Sequence, residues 1–175
     1  MRPLLVVVHA LIVRIKMHED QVIGAISKAF ADVQRPAKAS ITRCVCEECL
    51  QIRNDFAEKD PDELPPDRMR YHSRDMVFLT PTARQYFLPR WMILGLRQPE
   101  MAYTDAALET LASCDGWDVP GGYSHEQRQS IVDFLTFVRH RIGDRYDKNL
   151  MVAWENWTDS EFEREESEQS SAGNS

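Results

Sequence analysis

The most apolar stretch of the chain lies at its centre. Between Tyr86 and Leu96, eight of eleven residues are large and apolar, so a helix formed here has no polar face. Such a helix must be enclosed by neighbouring elements. Thr80 and Pro81 predict where it begins, because the threonine hydroxyl can cap a backbone N–H and a proline at the first helical position forfeits no hydrogen bond. We therefore predict a central helix over 81–97.

Apolar residues recur at helical spacing on both sides of this segment. They predict further helices over 18–33, 44–58, 66–71, 104–113, 124–142 and 149–157. Ser124 and Gln127 form a capping box for one of them, whereas Pro89 predicts a kink or a break inside the central helix. No alternation of strands and helices is visible. We predict a mainly α single domain of five or six helices around the central apolar helix, with at most a minor strand pair.

The two ends of the chain differ from the body. Residues 1–16 are an apolar extension that is too short to span a bilayer and lacks the cleavage site of a signal peptide. Met17 opens a clean amphipathic pattern and is an alternative start. The helical domain is expected over 17–157. Residues 158–175 are acidic and rich in serine, which is typical of a disordered tail.

The charge of the chain is concentrated near its C-terminus. The net charge is −7, and seven acidic residues against one basic residue between Glu155 and Ser175 account for most of it. No basic patch of the kind that neutralises phosphates is visible, so nucleic-acid binding is not expected. Membrane association is not expected either. The four cysteines do not resemble a secreted disulfide framework, which favours a cytoplasmic protein with reduced thiols.

Three of the cysteines are crowded together and the fourth is remote. Cys44, Cys46 and Cys49 lie within six residues, whereas Cys114 is far along the chain. We favour the interpretation that these thiols are small apolar residues on the buried face of the second helix. That face comprises Cys46, Cys49, Leu50, Arg53 and Phe56.

Zinc binding and redox chemistry remain alternatives for the same cysteines. Three thiolates can hold zinc if Cys114 or His72 supplies the fourth ligand of the tetrahedron. Glu47 and Glu48 argue against this, because they are helix formers rather than the turn residues of a zinc knuckle. The Cys46–Cys49 spacing is that of redox motifs, but adjacent glutamates raise a thiol pKa. We therefore predict no cofactor, with zinc as the alternative.

The chain carries no recognisable catalytic set. It lacks the nucleophile-elbow, zinc-protease, phosphate-loop and dinucleotide motifs, which favours a role other than catalysis. Surface aromatic residues with acidic neighbours are preferred anchors for a basic protein partner. The alternative is that these tryptophans close the ends of the helical core. The candidate partner-binding residues are Trp117, Asp118, Trp154, Glu155 and Trp157.

Two motifs together resemble a family of small, uncharacterised bacterial proteins. One is the early Cys46-Glu-Glu-Cys49 helix, and the other is Phe78-Leu-Thr-Pro-x-Ala-x-x-Tyr-Phe-Leu-Pro89. The resemblance covers about residues 18–100. It implies a domain of unknown function with a variable helical C-terminal half, and it carries no activity over to this chain. Cys44 and the first sixteen residues are not part of the pattern.

These observations lead to a binding protein rather than an enzyme. The first hypothesis is a bacterial immunity or inhibitor protein that covers a basic toxin. The second is a zinc-stabilised helical domain, and the third is an enzyme with an unrecognised site. The sequence leaves the partner and the oligomeric state open.

Overall fold

The computed structural model describes residues 18–99, 102–114, 116–142 and 147–158. The predicted N-terminal extension and the acidic tail lie outside the described residues, apart from Thr158. Seven α-helices follow one another in the described part of the chain, the central helix and six others. They are α1 (18–29), α2 (Glu47–Phe56), α3 (Pro66–Tyr71), α4 (Pro81–Arg97), α5 (Tyr103–Ala112), α6 (His125–Ile142) and α7 (Lys148–Thr158).

Helix α4 is the centre of the domain, as predicted. Trp91 and its neighbours on every side of the helix are buried. Thr80 caps its start by accepting a hydrogen bond from the Ala83 N–H at 3.3 Å, and Pro81 occupies the first helical position. The predicted break at Pro89 is wrong: one helix runs through this buried proline. Packing on all sides holds the helix together although proline removes one backbone bond.

The other helices surround α4. Helix α5 packs against α4 and α7, and α7 also packs against α6. Trp157 of α7 donates its indole N–H to the Leu111 carbonyl of α5 at 3.0 Å. Helix α1 lies beside α6, where His18 stacks on Phe137 with ring centroids 5.7 Å apart. The mainly α prediction is therefore confirmed.

Strand structure in the described residues is limited to one isolated bridge. Thr42 pairs with Leu79, and the flanking backbone bonds run from the Arg43 N–H to the Phe78 carbonyl and from the Thr80 N–H to the Ile41 carbonyl, at 3.0 Å each. This pairing joins the segment before α2 to the segment before α4. It fixes where the cysteine-bearing loop lies.

Helix α2 differs from its prediction. It begins at Glu47 rather than at residue 44, and Cys46 is its N-cap. Its buried residues are Cys49, Ile52 and Phe56, whereas Leu50 on the predicted buried face is 46% exposed. The true core stripe has the spacing of three and four residues that faces one side of a helix. Only Cys49 of the crowded thiols belongs to it.

Candidate metal centre

The loop that carries Cys44 is folded back over the start of α2 by Arg53. The Arg53 guanidinium donates to the carbonyls of Thr42 at 3.0 Å and Cys44 at 2.9 Å. Its Nε donates to the Thr42 hydroxyl at 2.7 Å. Arg53, which is half-buried, thereby fixes the backbone of residues 42–44 relative to the first turns of the helix.

The three crowded thiols converge at this point. Cys44 comes from the loop, Cys46 from the helix cap and Cys49 from the first turn. The Cys44 sulfur lies 2.9 Å from that of Cys46 and 2.6 Å from that of Cys49, and all three sulfurs lie within 4.8 Å of one another. Cys44 and Cys46 are exposed and Cys49 is buried. The interpretation of all these thiols as buried filler is therefore wrong for Cys44 and Cys46.

The proton affinities of these thiols are unequal. Hydrogen bonds from Cys46 and then Cys49 lower the pKa of the Cys44 thiol, and the positive charge of Arg53 adds to that effect. The hydrogen bond to Cys44 raises the pKa of Cys46 to about 12. A single thiolate centred on Cys44, with its neighbours donating, is the form that this geometry stabilises. Cys46 is therefore a poor attacking thiolate, which weighs against the redox alternative for Cys46 and Cys49.

Three sulfurs in this arrangement can hold a metal ion. Zinc lies about 2.3 Å from each thiolate, so sulfurs around it are about 3.8 Å apart. The two short sulfur separations, 2.6 and 2.9 Å, must therefore widen by roughly 1 Å on metal binding. Two of the side chains are at the surface, where such a movement meets little resistance.

The fourth ligands suggested by the sequence are not in this cluster. Cys114 is buried at the end of α5, where its carbonyl accepts a hydrogen bond from the Asn156 amide of α7 at 3.3 Å. His72 is buried, and both of its ring nitrogens lie 2.8 Å from carboxylates, those of Asp55 and Asp75. Among the residues that the structure describes, the metal-ligating group contains only Cys44, Cys46 and Cys49.

The predicted partner-binding residues lie in the loop between α5 and α6 and on α7. Trp117 is 54% exposed and lies against Arg128, with 5.2 Å from the guanidinium carbon to the ring centroid. Trp157 is buried, so its ring closes the core and offers no surface. Trp154 is half-buried beneath Arg139, at 5.1 Å.

The two acidic members of that set differ in environment. Asp118 pairs with the buried Arg84 at 3.1 Å, and Glu155 is exposed on α7. The Asp118 carboxylate therefore serves as the counter-ion of the Arg84 guanidinium, whose buried charge would otherwise lack one. Trp117 and Glu155 remain the exposed members of the predicted set.

Sequence reasoning missed the parts of the metal centre that depend on tertiary contacts. Arg53 was assigned to a buried helix face, and Thr42 had no assigned role. The available signal was the arginine itself, since an arginine four residues after Cys49 on an apolar face needs acceptors to satisfy its five N–H donors. Nothing local in the sequence indicated that Thr42 and Cys44 supply them.

Comparison with known proteins gives a family and no activity. A family model described as "Family of unknown function (DUF6714)" matches residues 18–161, which include the cysteine cluster and the motif before α4. No curated protein and no solved structure matches the chain. Among the described helices, none is both long and apolar enough to cross a bilayer.

Proposed function

We propose that this chain, which belongs to the family of unknown function DUF6714, binds zinc through Cys44, Cys46 and Cys49. The observation that supports this is the convergence of three sulfurs from a loop, a helix cap and a helix turn. Thiolates crowded in this way repel one another, and a divalent cation removes that repulsion. Among the metals that bind soft thiolate ligands, zinc is the one that structural sites most often hold.

The experiment measures bound zinc in protein purified without a metal-binding tag and kept reduced. About one zinc per chain is expected for the wild type, as in structural thiolate sites. Cobalt(II) substitution should give the visible absorption of tetrahedral thiolate coordination. Cys46→Ser removes one exposed ligand and should abolish most of the binding. Cys114→Ala is the matched control, because this cysteine lies outside the cluster and its loss should leave the metal content unchanged.

A lack of zinc would overturn the proposal. Less than about half an equivalent in the wild type, with no cobalt–thiolate absorption, is incompatible with a three-thiolate site. Equal zinc contents in wild type and Cys46→Ser would also contradict it, because the metal would then be bound elsewhere.

A second proposal is binding of a basic protein, in the manner of an immunity or inhibitor protein. It is favoured by the Trp117 indole, which is 54% exposed although its loop is held in place by the Tyr123 N–H donating to the Gly116 carbonyl at 2.8 Å. An exposed tryptophan on a fixed loop is a typical interface anchor. Glu155 and the acidic tail beyond it would speed capture of a basic partner.

This second proposal is tested with paired baits in the native host's lysate. A basic protein retained by the wild type should be lost with Trp117→Ala and kept with Leu50→Ala, since Leu50 is also exposed, at 46%, but lies on α2, which carries none of the predicted partner-binding residues. Identical retention by all three baits would contradict a role for Trp117.

A further inference from the structure

Within the described part of the chain, the proposed zinc site is one ligand short. Zinc in a structural site takes four nitrogen or sulfur ligands, and the described residues bring three sulfurs together. Cys114 lies after α5, outside the converging group, and His72 is held between Asp55 and Asp75. Cys44 and Cys46 are exposed, so the open side of the site faces outward. A fourth ligand can therefore reach the metal from another molecule.

The surface around the site contains several exposed apolar residues. Four of the six large hydrophobic residues exposed in the described part of the chain lie along the segments that form or adjoin it. Val45 stands between two of the cysteines and Leu50 follows the third. Tyr71 is joined to α2 by the Gln51 amide, which donates to its hydroxyl at 3.5 Å. Val77 precedes Phe78, whose carbonyl accepts the Arg43 N–H at 3.0 Å.

These residues are too exposed to serve the core of one chain. Their exposed fractions are 73% for Val45, 61% for Tyr71, 49% for Val77 and 46% for Leu50. A water or a small thiol completing the zinc shell would not cover them. A protein surface would, and exposed apolar patches of this kind commonly mark protein interfaces.

We infer that the occupant is a second copy of this chain, and that two zinc ions are held between the copies by six cysteines. The inference rests on the proposed zinc site. Two four-coordinate ions need eight metal–sulfur bonds, and six thiolates provide eight when two of them bridge both metals. The stoichiometry stays at one zinc per chain, and neither ion needs a ligand of another kind.

The charges at the surface suit such a pairing. Arg43, Glu47 and Glu48 are all exposed around the cysteines. A two-fold interface brings the same patch of each copy together, so a patch with both signs can place unlike charges opposite each other. Metal–thiolate bonds supply binding free energy that a small apolar patch alone does not.

The test measures the mass of the full-length chain by light scattering, reduced, with and without zinc. The metal-free protein should have the 20.3 kDa mass of one chain. One equivalent of zinc should double that mass, with two ions per dimer. X-ray absorption at the zinc edge should show sulfur ligands only, together with a metal–metal distance.

Two variants separate the interface from the metal. Leu50→Asp leaves all thiols in place, and it should weaken the zinc-dependent dimer by at least about tenfold, since it buries a charge in the interface. Met151→Asp makes the same change on an exposed residue of α7 and should dimerise like the wild type. Cys46→Ser should lose both zinc and dimer.

The outcomes distinguish the zinc-bridged dimer from the zinc-binding proposal on which it rests. A chain that binds one zinc and stays at 20.3 kDa, or a zinc shell with an oxygen or nitrogen ligand, overturns the shared cluster and leaves the zinc site standing. A dimer that forms without zinc and survives Cys46→Ser also overturns it. Absence of zinc binding overturns both.

Discussion

Asp60 shows how one carboxylate fastens a loop to the central helix. Its Oδ1 accepts hydrogen bonds from the Tyr86 hydroxyl and the Arg35 guanidinium, both at 2.5 Å. Its backbone N–H donates to the Glu63 carboxylate at 2.8 Å. The Tyr86 hydroxyl, followed by Arg35, holds the pKa of Asp60 below its ordinary value. Burial, followed by the hydrogen bond to Asp60, raises the pKa of Tyr86.

The pH dependence of this contact gives the first prediction. A carboxylate whose folded pKa is lowered stabilises the fold above its unfolded pKa of about 4, and that stabilisation is lost as pH falls through the folded value. Tyr86→Phe removes the stronger donor, so the Asp60 pKa should rise towards its ordinary value. The fall in unfolding free energy between about pH 7 and pH 3 should become smaller than in the wild type.

Carboxyl-detected NMR titration measures the Asp60 pKa directly, and denaturant unfolding at the two pH values measures the linked free energy. Tyr71→Phe is the control, because the Tyr71 hydroxyl accepts from the Gln51 amide, at 3.5 Å, and does not contribute to the lowered pKa of Asp60. An unchanged Asp60 pKa in Tyr86→Phe would show that Arg35 alone sets it.

Contacts between neighbours in sequence were predictable residue by residue. The Thr80 cap and the Ser124–Gln127 capping box are confirmed, because each depends on groups three residues apart. The convergence of the thiols was not predictable. It depends on Arg53 bonding to a loop nine and eleven residues earlier, and no periodic pattern encodes such a contact.

At the scale of elements, apolar spacing predicted where helices form but not all of their limits. Helix α4 runs through Pro89 because it is enclosed, so packing outweighs the lost backbone bond. Helix α2 starts later than predicted because residues 42–44 pair with α4's leading segment and with Arg53 instead of continuing the helix. Tertiary contacts therefore decided the course of α4 through Pro89 and the start of α2.

The crossing of α4 and α5 at Gly95 gives the second prediction. A Cβ on Gly95 would lie 2.8 Å from the Thr104 hydroxyl and 3.0 Å from its backbone nitrogen. Backbone cannot yield as a flexible side chain does, so Gly95→Ala should lower the unfolding free energy by about 1–3 kcal/mol. Gly24 is the matched control inside α1, since its Cβ would meet nothing within 4 Å.

Gly24→Ala should raise the unfolding free energy by up to about 1 kcal/mol, through helix propensity alone. Urea unfolding at one pH measures both variants against the wild type. Equal effects of the two substitutions would mean that helix propensity, and not the close approach of α5, decides the outcome at Gly95.

At the scale of the whole molecule, the fold and the proposed metal centre are largely separate. The buried hydrophobic residues of the described helices form one cluster around α4. Of the three converging thiols, only Cys49 is buried, and it lies outside that cluster. A chain of this length buries enough surface to fold without a metal. That separation explains why the sequence indicated the fold well and the site poorly: the core follows periodicity, whereas the site lies at its edge.

The same separation predicts how zinc should affect stability. Chelation should leave the helical circular dichroism intact, because α4 supplies none of the proposed zinc ligands and α2 supplies them only from its cap and first turn. Zinc bound only by the folded state should still raise stability, by about 2.7 kcal/mol when free zinc is a hundred times its dissociation constant. For a domain of this size, that corresponds to an increase in melting temperature of roughly 5–10 °C.

Thermal unfolding at stepped free-zinc concentrations, set with a metal buffer, measures this dependence. Cys46→Ser should melt at the same temperature at every zinc concentration. Cys114→Ala should start from a lower melting temperature, because it opens a cavity in the core, and should then show the full zinc-dependent rise. If chelation instead abolished the helical signal in one cooperative step, the core around α4 would depend on the metal. The inference that this core folds independently of zinc, drawn from the exposure of Cys44 and Cys46, would then be wrong.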